Sequence, residues 1–266
     1  MRSLAIVGVG LIGGSFGLAL RKAGFTGSIL GVSSARTIDE ALAHGAIDRG
    51  VTLEEAVGAC DVVFLSQPIS GILETLRRLD PLVHAETLVT DAGSTKQVIV
   101  EEARSRLRRC EFVGGHPMAG KAQRGVAAAD ADLFQGRPWI LTEAIDHPFR
   151  RWLSAIGARE IILDPARHDQ LVAWSSHLPQ LASTALASVI SHSAPDAASV
   201  AGPGLLDATR LAMSSYDLWR DIIDTNSPAI FAALDAYIAK LQSLRGSLED
   251  DFASAAEFAR SLRECG

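Results

Sequence analysis

The chain has little cysteine, no surplus of positive charge and no long uninterrupted apolar run, and each absence excludes a class of protein. Cys60, Cys110 and Cys265 stand far apart, with no C-x-x-C pair. An odd, scattered set excludes a disulfide framework and reads as reduced thiols in a reducing compartment. Lysine and arginine number 25 against 31 aspartates and glutamates, and the net charge of -6 argues against a nucleic-acid footprint. The longest apolar stretch, Leu181 to Ile190, is interrupted by Ser183, Thr184 and Ser188, so no membrane span is expected. An apolar strand pattern starts almost at the first residue, which leaves no room for a signal peptide. No internal repeat, low-complexity tract, long linker or metal-ligand cluster is visible. The expectation is a cytoplasmic protein whose 266 residues, 48% of them apolar, suffice for a substantial core and two domains.

What is present begins with Leu4-Ala5-Ile6-Val7 running into Gly8-Val9-Gly10-Leu11-Ile12-Gly13-Gly14, followed by an apolar helix pattern through Leu20. Strand, glycine turn and helix fall in the order of a dinucleotide-binding unit. Gly8 permits the tight turn, Gly10 lets backbone approach a pyrophosphate, and Gly13 lets helix and strand pack closely, with phosphates at the helix N-terminus beside Leu11 and Ile12. The second strand ends in Val32-Ser33-Ser34-Ala35-Arg36-Thr37, with no carboxylate before Asp39. An NAD site usually carries Asp or Glu there. Small hydroxyls and an arginine suit a 2′-phosphate, so Ser33, Ser34 and Arg36 favour NADP over NAD; Ser33 is also able to bond a bare ribose. After the strand at Val62 to Leu65, Ser66-Gln67-Pro68 is expected to shape the nicotinamide-ribose pocket.

Short apolar strands alternate with helical patterns as far as Ile161-Ile162-Leu163, including runs at Leu88, Phe112 and Trp139. This predicts a Rossmann-like doubly wound parallel α/β sheet over residues 1–164. From Asp164-Pro165 onward, alanine and leucine at helical spacing dominate, predicting an all-α domain over 165–266. Segments such as Ile230-Phe231-Ala232-Ala233-Leu234 are apolar around much of the helix, which suggests burial against a second copy in a homodimer. Packing on the nucleotide domain is the plainer alternative.

In open α/β sheets, ligands lie beyond the carboxyl ends of the strands. The strand at Leu88 runs into Asp91-Ala92-Gly93-Ser94-Thr95-Lys96, and that at Phe112 into Gly114-Gly115-His116-Pro117-Met118-Ala119-Gly120-Lys121. Oxidising a carbinol leaves a proton that a base must take, and histidine has the side-chain pKa nearest neutrality. His116 is therefore the candidate base. Ser94 is expected to orient the imidazole or the substrate hydroxyl, or to cap a helix starting at Thr95.

These two segments, with Ser176-His177-Leu178-Pro179 and Gly204-Leu205-Leu206-Asp207-Ala208-Thr209-Arg210 followed by Trp219-Arg220-Asp221, resemble the prephenate/arogenate dehydrogenase family of tyrosine biosynthesis across essentially the whole chain. The resemblance implies NAD(P)-dependent oxidative decarboxylation of prephenate to 4-hydroxyphenylpyruvate, or of arogenate to tyrosine. It implies that His116 is the catalytic histidine and Ser94 its assisting serine. Arg210 matches the arginine that binds a substrate carboxylate, with a salt bridge to Asp207 or Asp221 as the structural alternative. His192, Lys121 and Gln180 are the further substrate-contact candidates. Two departures stand out: Ala122 occupies a position where glutamate is common, and Gln180 one where histidine is common. Neither an appended chorismate mutase segment nor a C-terminal regulatory domain is expected.

Two other classes share parts of this pattern. A β-hydroxyacid or imine dehydrogenase of related architecture would place a lysine on the helical domain, where the sequence offers only Lys240, inside an apolar helix pattern. A non-enzymatic dinucleotide sensor would have no use for His116, Ser94 and Arg210 together.

Overall fold

The computed structural model describes residues 1–264. The first segment runs β1 (Ser3–Val7), α1 (Leu11–Lys22), β2 (Ser28–Val32), α2 (Ala35–Ala43), β3 (Arg49–Gly50), α3 (Leu53–Ala59), β4 (Val62–Leu65), α4 (Ile69–Leu79), β5 (Leu88–Asp91), α5 (Gln97–Arg106) and β6 (Glu111–Val113). The strands form one six-stranded sheet in the order β3-β2-β1-β4-β5-β6, parallel throughout. This is the dinucleotide-binding topology, with its switch point between β1 and β4. Residues 62–65 and 88–91 are buried on both faces, as a sheet covered by helices on either side requires. Amphipathic α4 shows how a helix covers it, burying Ile69, Ile72, Leu76 and Leu79 at helical spacing.

The chain then leaves this sheet. β7 (Gly115–Pro117), β8 (Pro138–Leu141) and β9 (Arg159–Ile162), with α6 (Phe149–Ala155) between the last two, form a separate three-stranded sheet in which β7 and β8 are antiparallel. The expectation of one sheet containing the Trp139 and Ile161 runs is corrected here. The Gly114 carbonyl accepts from Thr142 N at 2.9 Å and its N–H donates to the Thr142 hydroxyl oxygen at 2.9 Å, and the Gly115 N–H turns to the Asp91 carboxylate at 3.0 Å. A Cβ on Gly115 would lie 2.4 Å from the Asp91 carbonyl oxygen, so only glycine lets the strand peel away at this point. Hydrophobic periodicity carries no record of such a transfer.

An aromatic cluster ties the second sheet down. Phe16 of α1, Phe64 of β4, Phe134, Trp139 of β8 and Phe149 of α6 are essentially inaccessible, with Phe16 4.7 Å from Phe64 and 5.4 Å from Trp139 between ring centroids.

After α7 (Pro165–Val172) comes a π-helical turn, Ala173–His177, then α8 (Leu178–Ser193), α9 (Pro203–Thr209), α10 (Tyr216–Ser243) and α11 (Leu248–Glu264). Two compact units result: Met1–Val172 with Ser214–Asn226, and Ala173–Met213 with the chain from Ser227 onward. The sequence reading set a single boundary at residue 164; the segment 214–226 instead belongs with the nucleotide-type unit. α10 is broken at Asn226 (φ -136°, ψ 22°), two residues before Pro228, whose ring cannot follow a regular helical turn. The second unit carries exposed apolar side chains on its last helices, among them Phe231, Leu241, Phe252 and Phe258. Lys240, expected in an apolar surface, is half-exposed and paired with Asp251. Among the described residues no helix is long and apolar enough to cross a membrane.

Because Phe16 is the ring that contacts Phe64, Phe134, Trp139 and Phe149 together, Phe16→Ala should cost about 3–5 kcal/mol in urea unfolding. A loss under about 1 kcal/mol would mean that the cluster does not hold the two sheets together.

Candidate active site

The glycine turn after β1 is built for close approach. Gly8 has φ +94°, and a Cβ there would lie 2.8 Å from the Gln67 nitrogen. The Gly8 carbonyl accepts from Ser66 Oγ at 2.8 Å, so Ser66 braces the turn. A Cβ on Gly10 would meet nothing within 4 Å, and Gly10 begins α1 with no side-chain cap. The first N–H groups of α1, from Leu11, Ile12 and Gly13, therefore receive no capping side chain, the arrangement that favours a phosphate. A cavity of about 190 Å³ opens beside Val7 and Val32, lined further by Leu53, Gln67, Gly71, Glu74, Thr75 and Arg78. Gln67 is fixed there by Thr75 Oγ1, which donates to its Oε1 at 2.9 Å, while Pro68 is the N-cap residue of α4. Leu53, Gly71, Glu74, Thr75 and Arg78 were not legible as site residues, because each comes from a helix rather than from a strand end. A glycine turn, an uncapped helix start and an adjoining cavity fit a dinucleotide.

At the end of β2, Ser33 is exposed. Ser34 caps α2, its hydroxyl 2.9 Å from Thr37 Oγ1. Arg36 is 90% exposed and reaches Glu40 at 3.0 Å.

The end of β5 carries a buried ion pair. Asp91 and Lys96 are both fully inaccessible and bonded to each other. The Asp91 carboxylate also accepts from Gly93 N at 2.8 Å and Gly115 N at 3.0 Å. Burial pushes the Lys96 ammonium below the usual lysine range, against the opposing pull of Asp91 and Asp169. Ser94 lies half-buried in the loop that this pair closes. The helix starts at Gln97, with Lys96 as its cap residue and no side-chain bond from within; Ser94 does not cap it. The cap comes from α7, where Asp169 accepts from Lys96 N at 2.7 Å and Gln97 N at 2.9 Å.

His116 is not in a loop but at the centre of β7, opposite Ile140, and only 9% exposed. Its Nδ1 lies 2.8 Å from Nε2 of His168, whose Nδ1 lies 2.7 Å from Asp169 Oδ1. His168 is wholly inaccessible. The carbonyl of Asp169 accepts from Asn226 Nδ2 at 2.8 Å. The partner of His116 Nδ1 is therefore a second histidine and not Ser94. Sequence reasoning missed His168 and Asp169; adjacent His and Asp opening a helix after a strand were the available signal.

The remaining candidates have separate surroundings. Lys121 pairs with Asp130 at 2.8 Å, holding that carboxyl below its usual range through the Lys121 hydrogen bond, and Ala122 beside it is exposed. In the helical unit, Arg210 is exposed at the end of α9. Its expected alternative, a bridge to Asp207 or Asp221, does not occur among the described ion pairs; Asp221 instead accepts from Ser70 N at 2.8 Å. Gln180 is buried and donates to the Leu211 carbonyl at 2.8 Å, and Ser183 Oγ accepts from Ala212 N at 3.2 Å. Both brace the segment that follows Arg210. His192 is exposed near the end of α8, its Nδ1 2.7 Å from the Ser188 carbonyl oxygen. Burial pushes the Cys60 and Cys110 thiols up to about 11, so both stay protonated. Cys265 lies outside the described residues.

Residues 16–157 match the family model for the prephenate dehydrogenase nucleotide-binding domain, and residues 164–264 that for the prephenate dehydrogenase dimerization domain. The chain is 35% identical over 236 residues to the prephenate dehydrogenase of Lactococcus lactis subsp. cremoris, covering 85% of this chain and 65% of that protein. It superposes on the prephenate dehydrogenase of A. aeolicus in complex with hydroxyphenyl propionate and NAD+ with a TM-score of 0.85 at 30% identity, covering 99% of this chain and 96% of the other. Synechocystis arogenate dehydrogenase gives 0.78 at 30% identity, with 98% and 96% coverage.

The buried ion pair makes a specific prediction. Lys96→Met leaves the Asp91 carboxylate buried without its cation and should cost about 3–5 kcal/mol in chemical denaturation. Adding Asp91→Asn should restore part of that loss; a double variant no better than the single one would show that Asp91 is not the group Lys96 compensates.

Proposed function

The chain belongs to the prephenate dehydrogenase family, and on that premise we propose that it catalyses the NAD(P)-dependent oxidative decarboxylation of prephenate or arogenate. The observation that carries this reading is the His116 imidazole, buried in β7 and held through Nδ1 by a second histidine. Relatives described with NAD+ and hydroxyphenyl propionate, and as an arogenate dehydrogenase, support the cofactor and the substrate class.

Gly8, Gly10 and Gly13, with the start of α1, are assigned the pyrophosphate, and the cavity beside Val7 and Val32 the adenosine. When bound, the nicotinamide accepts a hydride from the ring carbon that bears the hydroxyl. The protein then has a proton to remove, a carboxylate to hold and a geometry to impose. His116 takes the hydroxyl proton as the C–O bond gains carbonyl character. The electron pair of the breaking bond to CO2 enters the ring, which becomes aromatic, and the resulting phenolate oxygen recovers a proton from the His116 imidazolium or solvent. Ser94, on the neighbouring loop, is assigned to the substrate hydroxyl. Arg210 offers a permanently charged fork for a substrate carboxylate, with Gln180 and Ser183 bracing the backbone beyond it. The exposed apolar helices of the second unit and its match to a dimerization domain support a homodimer. The reduced-thiol composition supports a cytoplasmic location.

Ser33 and Arg36, with no carboxylate at the end of β2, support NADP over NAD. The exposed Arg36–Glu40 pair is worth at most about 1 kcal/mol, so Arg36 is readily redirected to a 2′-phosphate.

Turnover of prephenate and arogenate, each with NAD and NADP, tests the reading. His116→Asn should lower kcat by about 10² to 10⁴ with cofactor affinity retained; near-native turnover would remove His116 from the chemistry. Ser33→Asp should shift preference towards NAD, and a wild-type enzyme that already strongly prefers NAD would refute the assignment of this loop.

A further inference from the structure

We infer that His168 and Asp169 are positioning residues that lock His116 in the one tautomer whose Nε2 can act as a base. The inference rests on the reading of His116 as the proton acceptor, and it follows from counting protons along three groups. Asp169 is an anionic acceptor: besides His168 it receives the Lys96 and Gln97 N–H groups at 2.7 and 2.9 Å. Facing it at 2.7 Å, Nδ1 of His168 must carry the proton. The relay requires His168 to be singly protonated, which puts its lone pair on Nε2, facing Nδ1 of His116 at 2.8 Å; a doubly protonated His168 would donate there and give the opposite tautomer. Two lone pairs cannot share that contact, so His116 Nδ1 carries the proton and its Nε2 carries the lone pair.

The same chain steadies the charge that catalysis creates. When the substrate proton arrives at His116 Nε2, the imidazolium keeps its Nδ1–H bond to His168, and the Asp169 carboxylate stabilises the cation through the intervening ring. Among the described residues, the ammonium that faces Asp169 is Lys96, which is itself paired with Asp91. The remaining neighbours named above are uncharged: Ile140 opposite His116 on β8 and the Asn226 amide on the Asp169 carbonyl. A helix-capping carboxylate alone would need neither a histidine sharing its Oδ1 nor a second imidazole beyond it.

Histidine-selective 15N spectra of the intact enzyme without substrate test the tautomer directly. The expected result is a protonated Nδ1 and an unprotonated Nε2 on His116, with His168 protonated at Nδ1. A proton on His116 Nε2 would overturn the inference whatever the activity is. In parallel, Asp169→Asn and His168→Gln, checked for native circular dichroism, should lower kcat between about 10-fold and about 10⁴-fold and leave KM for the cofactor unchanged. Losing the carboxylate should also move the acidic limb of the kcat pH profile to lower pH, because the imidazolium loses its stabilising charge. A folded variant with kcat within about twofold of wild type and an unmoved limb would reduce the pair to a helix cap. Should a variant fail to fold, the wild-type spectra still decide the tautomer. If His116→Asn is active, the base assignment fails while the tautomer result stands by itself.

Discussion

Everything at the carboxyl end of the sheet depends on one buried charge. Asp91 ends β5 with no access to solvent, and a carboxylate in that position is tolerable only if its lone pairs are met. Lys96 and the N–H groups of Gly93 and Gly115 meet them. The loop from Ala92 to Thr95 is thereby wound around its own strand end, and β7 is obliged to start beside it. That start sets where His116 falls. The imidazole is thus located by an electrostatic requirement one strand away, and not by the turn that precedes it.

Asp169 imposes a second constraint. One carboxylate caps α5 from a neighbouring helix and holds a histidine, so the packing of α5 against α7 and the orientation of the His168 ring cannot vary independently. Its backbone carbonyl is held in turn by Asn226, at the break in α10. The irregularity in α10 therefore meets the same residue that lies behind the candidate base.

The nucleotide-type sheet was legible in the sequence because each of its main strands is an apolar run ending in glycine, serine or aspartate, and such ends are local signals. The second sheet was not legible as separate. Trp139 and Ile161 open runs that look no different from those at Leu88, and what diverts them is a contact of Gly115 with Asp91, twenty-odd positions away in the chain. His116 stood out because glycines flank it. His168 did not, because a histidine near the start of a polar helix looks like a surface residue until β7 is laid beside it. The same blindness hid the cap on α5, since Asp169 is remote in sequence from Lys96. Arg210 was proposed from a motif of the resemblance and His192 only from its position in it, and their surroundings are set by helix ends that periodicity locates only approximately.

The chain passes between its two compact units more than once, and the segment 214–226 lies in the first unit, with Asp221 on Ser70, Thr225 on Thr95 and Asn226 on Asp169. The nucleotide-type half is consequently not a modular cassette. A gene cut after β9 or α7 would release a fragment stripped of the piece that secures Asp169. Any recombination that exchanges the helical half among relatives must therefore carry that borrowed segment with its host, or accept a chimera whose histidine relay has lost its outer brace.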